Sequence, residues 1–141
     1  MLTLGSLFDG IGGWPLAAVR YGIEPVWASE IEAFPIAVTK HHFPNMKHLG
    51  DIRNIHGGAV EPVDILCLGF PCQSVSCAGR RDGFKGESGL FYEAARIMKE
   101  MRKATHGKYP RFVVVENVPG LLNHGKGLTF RIVLEEIAEA K

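Results

Sequence analysis

Residues 3–30 read TLGSLFDGIGGWPLAAVRYGIEPVWASE, and the fold expected for the chain follows from them. Residues 3–8 predict a first strand, which runs into a turn at residues 9–13 that is too rich in glycine to continue a strand or a helix. Pro15 suits the first turn of a helix, because the N–H that proline lacks would have no partner there. Residues 25–29 then predict a second strand. The order of strand, glycine loop, helix and strand indicates the opening unit of an α/β domain.

The rest of the chain continues the alternation of apolar strands and amphipathic helices. Further strands are predicted at residues 47–50, 63–70 and 112–115, and further helices at residues 33–42, 90–103 and 128–140. The run at 63–70 is almost wholly apolar, which is typical of a strand covered on both faces in a parallel sheet. Residues 73–89 are rich in glycine and basic side chains and predict a long functional loop. The sequence therefore predicts one α/β domain with a doubly wound, mainly parallel sheet of about five strands.

The composition is that of an ordinary globular protein. The 141 residues are 46% apolar and 22% charged, and no apolar run approaches the ~20 residues that a membrane span needs. The amino terminus lacks the basic start and the cleavage site of a secretory signal, so we expect a cytoplasmic protein. A net charge of +1 argues against a wholly basic protein that coats nucleic acid, which means that any DNA contact must be local.

The cysteines and histidines do not predict a metal site. Cys67, Cys72 and Cys77 are an odd number and include no Cys-x-x-Cys pair, which also argues against a disulfide framework. The six histidines are scattered and share no ligand spacing with the cysteines. Cys67 lies inside a predicted strand, where an inert core residue is expected, and Cys77 is interpreted as structural. Cys72 lies between a buried strand and a loop, where nearby cations or helix amides would lower the pKa of its thiol.

Polar and reactive residues directly follow the predicted strands. They are Asp9, Glu30, Asp51, Cys72, Glu116 and Asn117. Because the carboxyl ends of parallel strands meet at one edge of a sheet, we expect these residues to share a ligand site. The glycines after the first strand would let the backbone approach a ligand closely, and Glu30 lies where α/β folds place the acceptor for a ribose hydroxyl. The alternative is a tight turn beside a surface glutamate. A carboxyl at Glu116 either finds partners or has a raised pKa that lets it donate a proton.

Three segments in this order resemble the hallmark motifs of the cytosine-5 DNA methyltransferase family, and the resemblance covers essentially the whole chain. They are FDGIGG at residues 8–13, GFPCQ at residues 69–73 and ENV at residues 116–118. The first is similar to the S-adenosylmethionine loop of the family and the second to its nucleophile motif. Minor donor-site motifs are matched by Glu30, Asp51, Ile52 and residues 89–91. The resemblance implies a Rossmann-like fold and S-adenosylmethionine as the methyl donor.

The resemblance also implies covalent catalysis. Cys72 as a thiolate would add to C6 of cytosine while protonated Glu116 donates to N3, which makes C5 able to attack the sulfonium methyl group. Glu30 would bind the ribose hydroxyls of the donor and Asp51 its adenine amino group, and no metal is needed. The residues that match the donor pocket are Phe8, Asp9, Gly10, Ile11, Gly12, Gly13, Glu30, Ile31, Asp51, Ile52, Pro71 and Leu90.

The substrate implied by the resemblance is double-stranded DNA. C5 of a stacked cytosine is inaccessible, so the family flips the base out of the duplex, and the loop at residues 73–89 would close over it. Arg80, Arg81 and Lys85 would contact phosphates, although a solvated basic loop without a ligand is the alternative. The residues interpreted as DNA contacts are Gln73, Ser76, Arg80, Arg81 and Asn117.

A complete enzyme of this family continues past residue 141, through the segment that reads the DNA sequence. We therefore expect residues 1–141 to be a partial catalytic domain that is inactive alone. The strand at residues 112–115 would then be an open sheet edge, and such edges recruit a second polypeptide or a second copy of the chain.

Three other functions stay open on the sequence. The chain could be a module that binds S-adenosylmethionine without catalysis, or one subunit of a split methyltransferase, and it would use the same glycine loop and Glu30. It could act on cytosine in RNA. A dinucleotide oxidoreductase shares the glycine loop and the acidic residue after the second strand. However, it leaves Cys72 and Glu116 unexplained, and the glycine spacing is not Gly-x-Gly-x-x-Gly.

Overall fold

The computed structural model describes residues 1–71 and 89–140. In this part of the chain, five parallel strands form one sheet in the order β3-β2-β1-β4-β5. The strands are β1 Thr3–Leu7, β2 Glu24–Ser29, β3 Lys47–His48, β4 Ile65–Leu68 and β5 Phe112–Val115. The helices are α1 Gly13–Arg20, α2 Ala33–His42, α3 Gly89–Ala104 and α4 Leu128–Ala138. The predicted α/β fold with a doubly wound parallel sheet is confirmed.

Strand β4 is buried on both faces of the sheet. Leu66 and Leu68 pack in the core beneath α3, whereas Cys67 packs with Leu4 and with Ala18 of α1 on the opposite face. The exposed fraction is 0% for Leu66, 3% for Leu68 and 2% for Cys67. Consecutive side chains of a strand point to opposite faces, so the apolar run at this position reflects helices on both sides.

Helix α3 covers one face of the sheet through apolar residues at helical spacing. Its buried side chains are Phe91, Ala94, Ala95, Ile97, Met98 and Met101. The chain before β4 also approaches this helix closely at Gly57. A Cβ at Gly57 would lie 2.1 Å from the carbonyl oxygen of Ile97, so glycine is required for this contact. The segment that follows β3 is thereby packed directly on α3.

Three strands end earlier than the sequence predicts, whereas β2 and β5 end at the predicted residues. Strand β1 stops at Leu7 because Phe8 has a φ of 54°, which a strand residue does not adopt. Strand β3 has only two residues, and the chain turns away at Gly50, where φ is 71°. Strand β4 spans residues 65–68 instead of 63–70. These differences leave the number of strands and their parallel direction as predicted.

The helices lie close to their predicted positions. Helix α1 begins at Gly13, before Pro15, and α4 ends at Ala138. Two short 3-10 helices at Pro119–Leu122 and His124–Gly127 are not predicted, because their glycine and proline content is typical of a loop. None of the helices in the described residues is both long enough and apolar enough to span a bilayer.

Candidate functional site

A cavity of about 500 Å³ lies at the carboxyl ends of β1 and β2. It is lined by Phe8, Ser29, Glu30, Ile31, Asp51, Ile52, Arg53 and Leu90. All of these except Ser29 and Arg53 are predicted donor-pocket residues. The other predicted donor positions, Asp9, Gly10, Ile11, Gly12, Gly13 and Pro71, are not among the lining residues. The volume falls in the range of about 300–1,000 Å³ that is usual for small-molecule sites.

The loop after β1 adopts left-handed backbone conformations that shape one wall of the cavity. Gly10 and Gly12 have φ values of 60° and 90°. Phe8 has a φ of 54° without being a glycine, and such local strain is concentrated at ligand sites. A Cβ at Gly12 would lie 3.2 Å from the ring of Phe43, at the end of α2. The loop thus packs on α2 and leaves the Phe8 side chain against the cavity.

Glu30 links the end of β2 to the glycine loop. Its Oε2 accepts a hydrogen bond from the backbone N–H of Gly10 at 2.9 Å. Its Oε1 accepts from the backbone N–H groups of Ile31 and Glu32 at 2.8 and 3.2 Å. A carboxylate offers about four acceptor positions, so these three bonds leave room for a ligand hydroxyl. Glu30 can therefore hold the loop and bind a ribose at the same time.

Asp9 is buried beneath the loop and does not line the cavity. Its Oδ1 accepts a hydrogen bond from the hydroxyl of Ser6 at 2.6 Å, and its Oδ2 accepts from that of Thr39 at 3.0 Å. Burial raises the pKa of Asp9, an effect that these two hydrogen bonds partly offset. The contacts tie the glycine loop to α2, which is a positioning role different from the predicted contact with a donor.

Asp51 also lines the cavity and lies at the start of the 3-10 helix Ile52–Asn54. Its side chain accepts hydrogen bonds from both the backbone N–H and the guanidinium of Arg53, and the shortest, from Nη2, is 2.6 Å. These hydrogen bonds lower the pKa of Asp51, so the carboxyl is ionised at neutral pH. Between Glu30 and Asp51, the apolar side chains of Ile52 and Leu90 complete the wall.

The adjacent ends of β4 and β5 bring the second and third motifs together. Glu116 is exposed at the end of β5, and a Cβ at Gly69 would lie 2.8 Å from its Oε2. The side-chain amide of Asn117 donates to the carbonyl oxygen of Phe70 at 3.0 Å and accepts from the N–H of Val118 at 2.8 Å. Glycine at position 69 thus leaves space for the Glu116 carboxylate. Asn117, predicted to contact DNA, here joins the two strand ends.

Several predicted site residues lie outside the described residues. They are Cys72, Gln73, Ser76, Arg80 and Arg81, together with Cys77 and Lys85. Cys67 is described, and burial raises the pKa of its thiol to about 11, in agreement with the core role predicted for it. Among residues 1–71 and 89–140, no group of three His, Cys, Asp or Glu side chains is arranged to hold a metal ion.

Comparison with known families places nearly the whole chain in one family. Residues 2–141 match the model of the C-5 cytosine-specific DNA methylase family. The chain belongs to this family. Enzymes of the family are methyltransferases whose methyl donor is S-adenosylmethionine. The family accounts for the pairing of the GFPCQ and ENV motifs, which a dinucleotide oxidoreductase does not.

Curated members of the C-5 cytosine-specific DNA methylase family are similar over nearly the whole chain. Type II methyltransferase M.Bsp6I of Bacillus sp. (strain RFL6) is 37% identical over 140 residues, which cover 97% of this chain and 42% of the relative. Type II methyltransferase M1.ScrFI of Lactococcus lactis subsp. cremoris is 41% identical over 136 residues, or 95% of this chain and 33% of the relative. The chain thus spans roughly two fifths or less of these relatives.

Solved structures support the fold. A candidate DNA modification methyltransferase encoded within an Escherichia coli prophage superposes with a TM-score of 0.75 at 23% sequence identity. The superposition covers 99% of this chain and 38% of that one. The described elements therefore have the arrangement of a methyltransferase of this fold.

Two residues that line the cavity of this family member were not predicted from the sequence. Ser29 lines the cavity, and its hydroxyl donates to the carbonyl oxygen of Gly50 at 2.7 Å, which joins the ends of β2 and β3. Arg53 lines it through its contact with Asp51. No motif in the sequence marks either residue. The only available signal is that each one adjoins a predicted donor residue.

Proposed function

We propose that this chain supplies the donor-binding and catalytic portion of a DNA cytosine-5 methyltransferase. In this reaction a methyl group passes from S-adenosylmethionine to C5 of a flipped cytosine. The observation that carries the proposal is the cavity of about 500 Å³, whose walls combine Phe8 of the glycine-loop motif with residues of the minor donor-site motifs. Because the chain spans less than half of its curated relatives, the activity of the whole enzyme is part of the proposal.

The donor fits the cavity by its chemistry. Glu30 has an acceptor position left for the ribose hydroxyls, and Asp51 is an ionised acceptor for the adenine amino group. The side chains of Ile52, Leu90 and Phe8 form apolar walls that suit a purine. The donor supplies an electrophilic methyl group on a sulfonium. The residues of the chain bind and orient it, and no metal is required.

Catalysis is assigned to the second and third motifs. The Cys72 thiolate adds to C6 of cytosine, and the Glu116 carboxyl donates its proton to N3, so the electron pair at C5 can form the new bond to the methyl carbon. Loss of the C5 proton to a base, expulsion of the thiolate and return of the N3 proton to the Glu116 carboxylate then restore the aromatic ring. The supporting geometry is the adjacency of Glu116 to Gly69, three residues before Cys72 in the same motif.

DNA is the proposed macromolecular partner, and the base must leave the duplex to reach the cavity. Arg80 and Arg81 are proposed to contact phosphates. Replacing both with alanine should reduce the slope of log affinity against log salt by about two, because each phosphate contact contributes a slope of about 0.9. An unchanged slope would exclude these arginines from the DNA interface.

The sharpest experiment traps the covalent adduct. The protein is mixed with labelled S-adenosylmethionine and a DNA duplex that carries 5-fluorocytosine, which blocks loss of the C5 substituent and leaves the enzyme bound. We expect an adduct that is lost in Cys72→Ala and kept in Cys67→Ala, since Cys67 is buried and its thiol has a raised pKa. An adduct that survives in Cys72→Ala would contradict the assignment. An RNA substrate in the same assay tests the RNA alternative.

A second candidate function follows because the chain spans only part of the length of its curated relatives. The chain could bind the donor as one subunit of a split methyltransferase, or as a module without catalysis, because its matches reach only 42% and 33% of the curated enzymes. Donor binding without adduct formation would favour this candidate. In either case the exposed strand β5 is proposed to pair with a second polypeptide or a second copy.

A further inference from the structure

Arg53 already occupies most of the acceptor capacity of the Asp51 carboxylate in this structure. Arg53 donates to its Oδ1 from the backbone N–H at 2.9 Å and from Nε at 3.0 Å. It donates to Oδ2 from Nε at 3.0 Å and from Nη2 at 2.6 Å. The single Nε hydrogen is shared between the two oxygens, so three N–H groups of Arg53 occupy Asp51, and a carboxylate offers about four acceptor positions. An amino group entering the cavity therefore competes with the guanidinium for most of the acceptor capacity of Asp51.

The two side chains differ in their freedom to move. The Arg53 side chain is 67% exposed, whereas that of Asp51 is 24% exposed. Asp51 is also held by the backbone N–H of Arg53, a contact that caps the 3-10 helix Ile52–Asn54 and does not depend on the guanidinium. Withdrawal of the guanidinium into solvent would thus leave the acceptor in place. It would uncover Asp51 at the wall of the cavity.

We propose that Arg53 is a specificity-determining residue of the donor cavity, whose guanidinium competes with the 6-amino group of the bound purine for Asp51. The inference rests on the proposed function, which places the adenosine part of the donor in this cavity. A 6-amino group is a hydrogen-bond donor and can donate to Asp51 when the guanidinium leaves. A 6-oxo group is an acceptor, which an uncovered carboxylate repels. Arg53 therefore reduces the difference in affinity by which the cavity prefers 6-aminopurines to 6-oxopurines.

The test compares two ligands that differ only at this position. Calorimetry measures the binding of S-adenosylhomocysteine and of its inosine analogue to the wild type and to Arg53→Ala. We expect Arg53→Ala to bind S-adenosylhomocysteine about two- to fivefold more tightly, since exposed ion pairs of this kind are weak. Binding of the inosine analogue should not tighten. Arg131→Ala is the matched control, because Arg131 forms an exposed ion pair with Glu135 on α4, and it should bind both ligands like the wild type.

Measuring Arg53→Ala in a second variant, Asp51→Asn, distinguishes competition for Asp51 from a merely structural role of Arg53. In Asp51→Asn, the gain caused by Arg53→Ala should disappear, because the two effects act through one carboxylate. Unchanged or weaker binding of S-adenosylhomocysteine by Arg53→Ala, with normal binding by the wild type, overturns this inference alone. Equal tightening for both ligands also overturns it. Absence of binding by the wild type overturns the proposed donor site and the inference with it.

Discussion

Glu30 is a single carboxylate that holds the glycine loop and that we propose also binds the ribose of the donor. Three backbone N–H groups occupy part of its acceptor capacity and fix the glycine loop against β2. Hydrogen bonds to charged groups are stronger than neutral ones, typically about 1.5–3 kcal/mol each. We therefore predict that Glu30→Gln weakens the binding of S-adenosylhomocysteine by about tenfold or more, as measured by calorimetry.

Glu32→Gln is the matched control for this change. Glu32 precedes α2, makes no side-chain cap hydrogen bond and does not line the cavity, so its substitution should leave the affinity unaltered. Removing the 2′-hydroxyl from the ligand should reduce its affinity less in Glu30→Gln than in the wild type. The reason is that the substitution has already weakened the hydrogen-bond partner of that hydroxyl. If Glu30→Gln binds both ligands like the wild type, the ribose assignment is wrong.

Residues that follow strands were predictable, whereas their partners were not. Glu30 and Asp51 could be placed in one site because parallel strands end at one edge of a sheet, and both line the cavity. Asp9 meets the same sequence criterion, yet it points into the protein toward Thr39, thirty residues away. The contact of Asn117 with the Phe70 carbonyl spans 47 residues. Sequence order gives the edge of the sheet, and only three-dimensional packing gives the direction of each side chain.

At the scale of elements, Arg96 joins α3 to the segment that carries Asp51 and Ile52. Its guanidinium donates to the carbonyl oxygens of Ile55 and Ile52 at 2.7 and 3.2 Å. It is held in place by Glu93 and Glu100 on the same helix. The sequence predicts α3 only from the spacing of its apolar residues. It does not predict that Arg96, on the polar side of the helix, contacts this segment.

We predict that Arg96→Met loosens the segment at residues 52–57 and weakens donor binding. Methionine keeps the apolar part of the side chain but leaves two backbone carbonyls without their charged donor, which should cost about 1–3 kcal/mol of unfolding free energy. Urea denaturation measures the stability. Hydrogen exchange at the Gly57 amide, which donates to Glu100 at 2.6 Å, measures the local loosening.

Lys99→Met is the matched control on the same helix. Lys99 pairs with Glu136 of α4 at 2.7 Å and makes no contact with residues 52–57 among the described interactions. Its loss should leave both the Gly57 exchange rate and the affinity for S-adenosylhomocysteine unchanged. Equal effects of the two substitutions on ligand affinity would show that α3 stabilises the site only through general stability.

The elements themselves follow from local rules, and their ends do not. Helix α3 was predictable because apolar residues recur along one face, and β4 because an apolar run is buried on both sides. The end of β1 depends on the left-handed conformation of Phe8, which the apolar sequence of the strand does not indicate. The described structure therefore keeps the predicted parallel sheet of five strands and shortens β1, β3 and β4.

At the scale of the whole molecule, the two edges of the sheet differ. The edge at β3 has only two residues and offers a short template for pairing. At the other edge, β5 pairs with β4 alone among the described residues. Val113 and Val115 pack against the core beneath α3, whereas Phe112 and Val114 on the opposite face are 52% and 40% exposed. The edge at β5 is thus longer than the edge at β3 and exposes two apolar side chains.

We predict that the protein associates through β5 and that Val114→Lys prevents this association. An unpaired, apolar edge strand is a template for a second strand, and a lysine on such an edge blocks pairing by its charge and its hydration. Sedimentation velocity over rising concentration should show increasing mass for the wild type and a monomer for Val114→Lys. Leu134→Lys adds the same charge at a residue of α4 that is 52% exposed, and it should behave like the wild type. A wild-type monomer at every concentration would contradict the prediction.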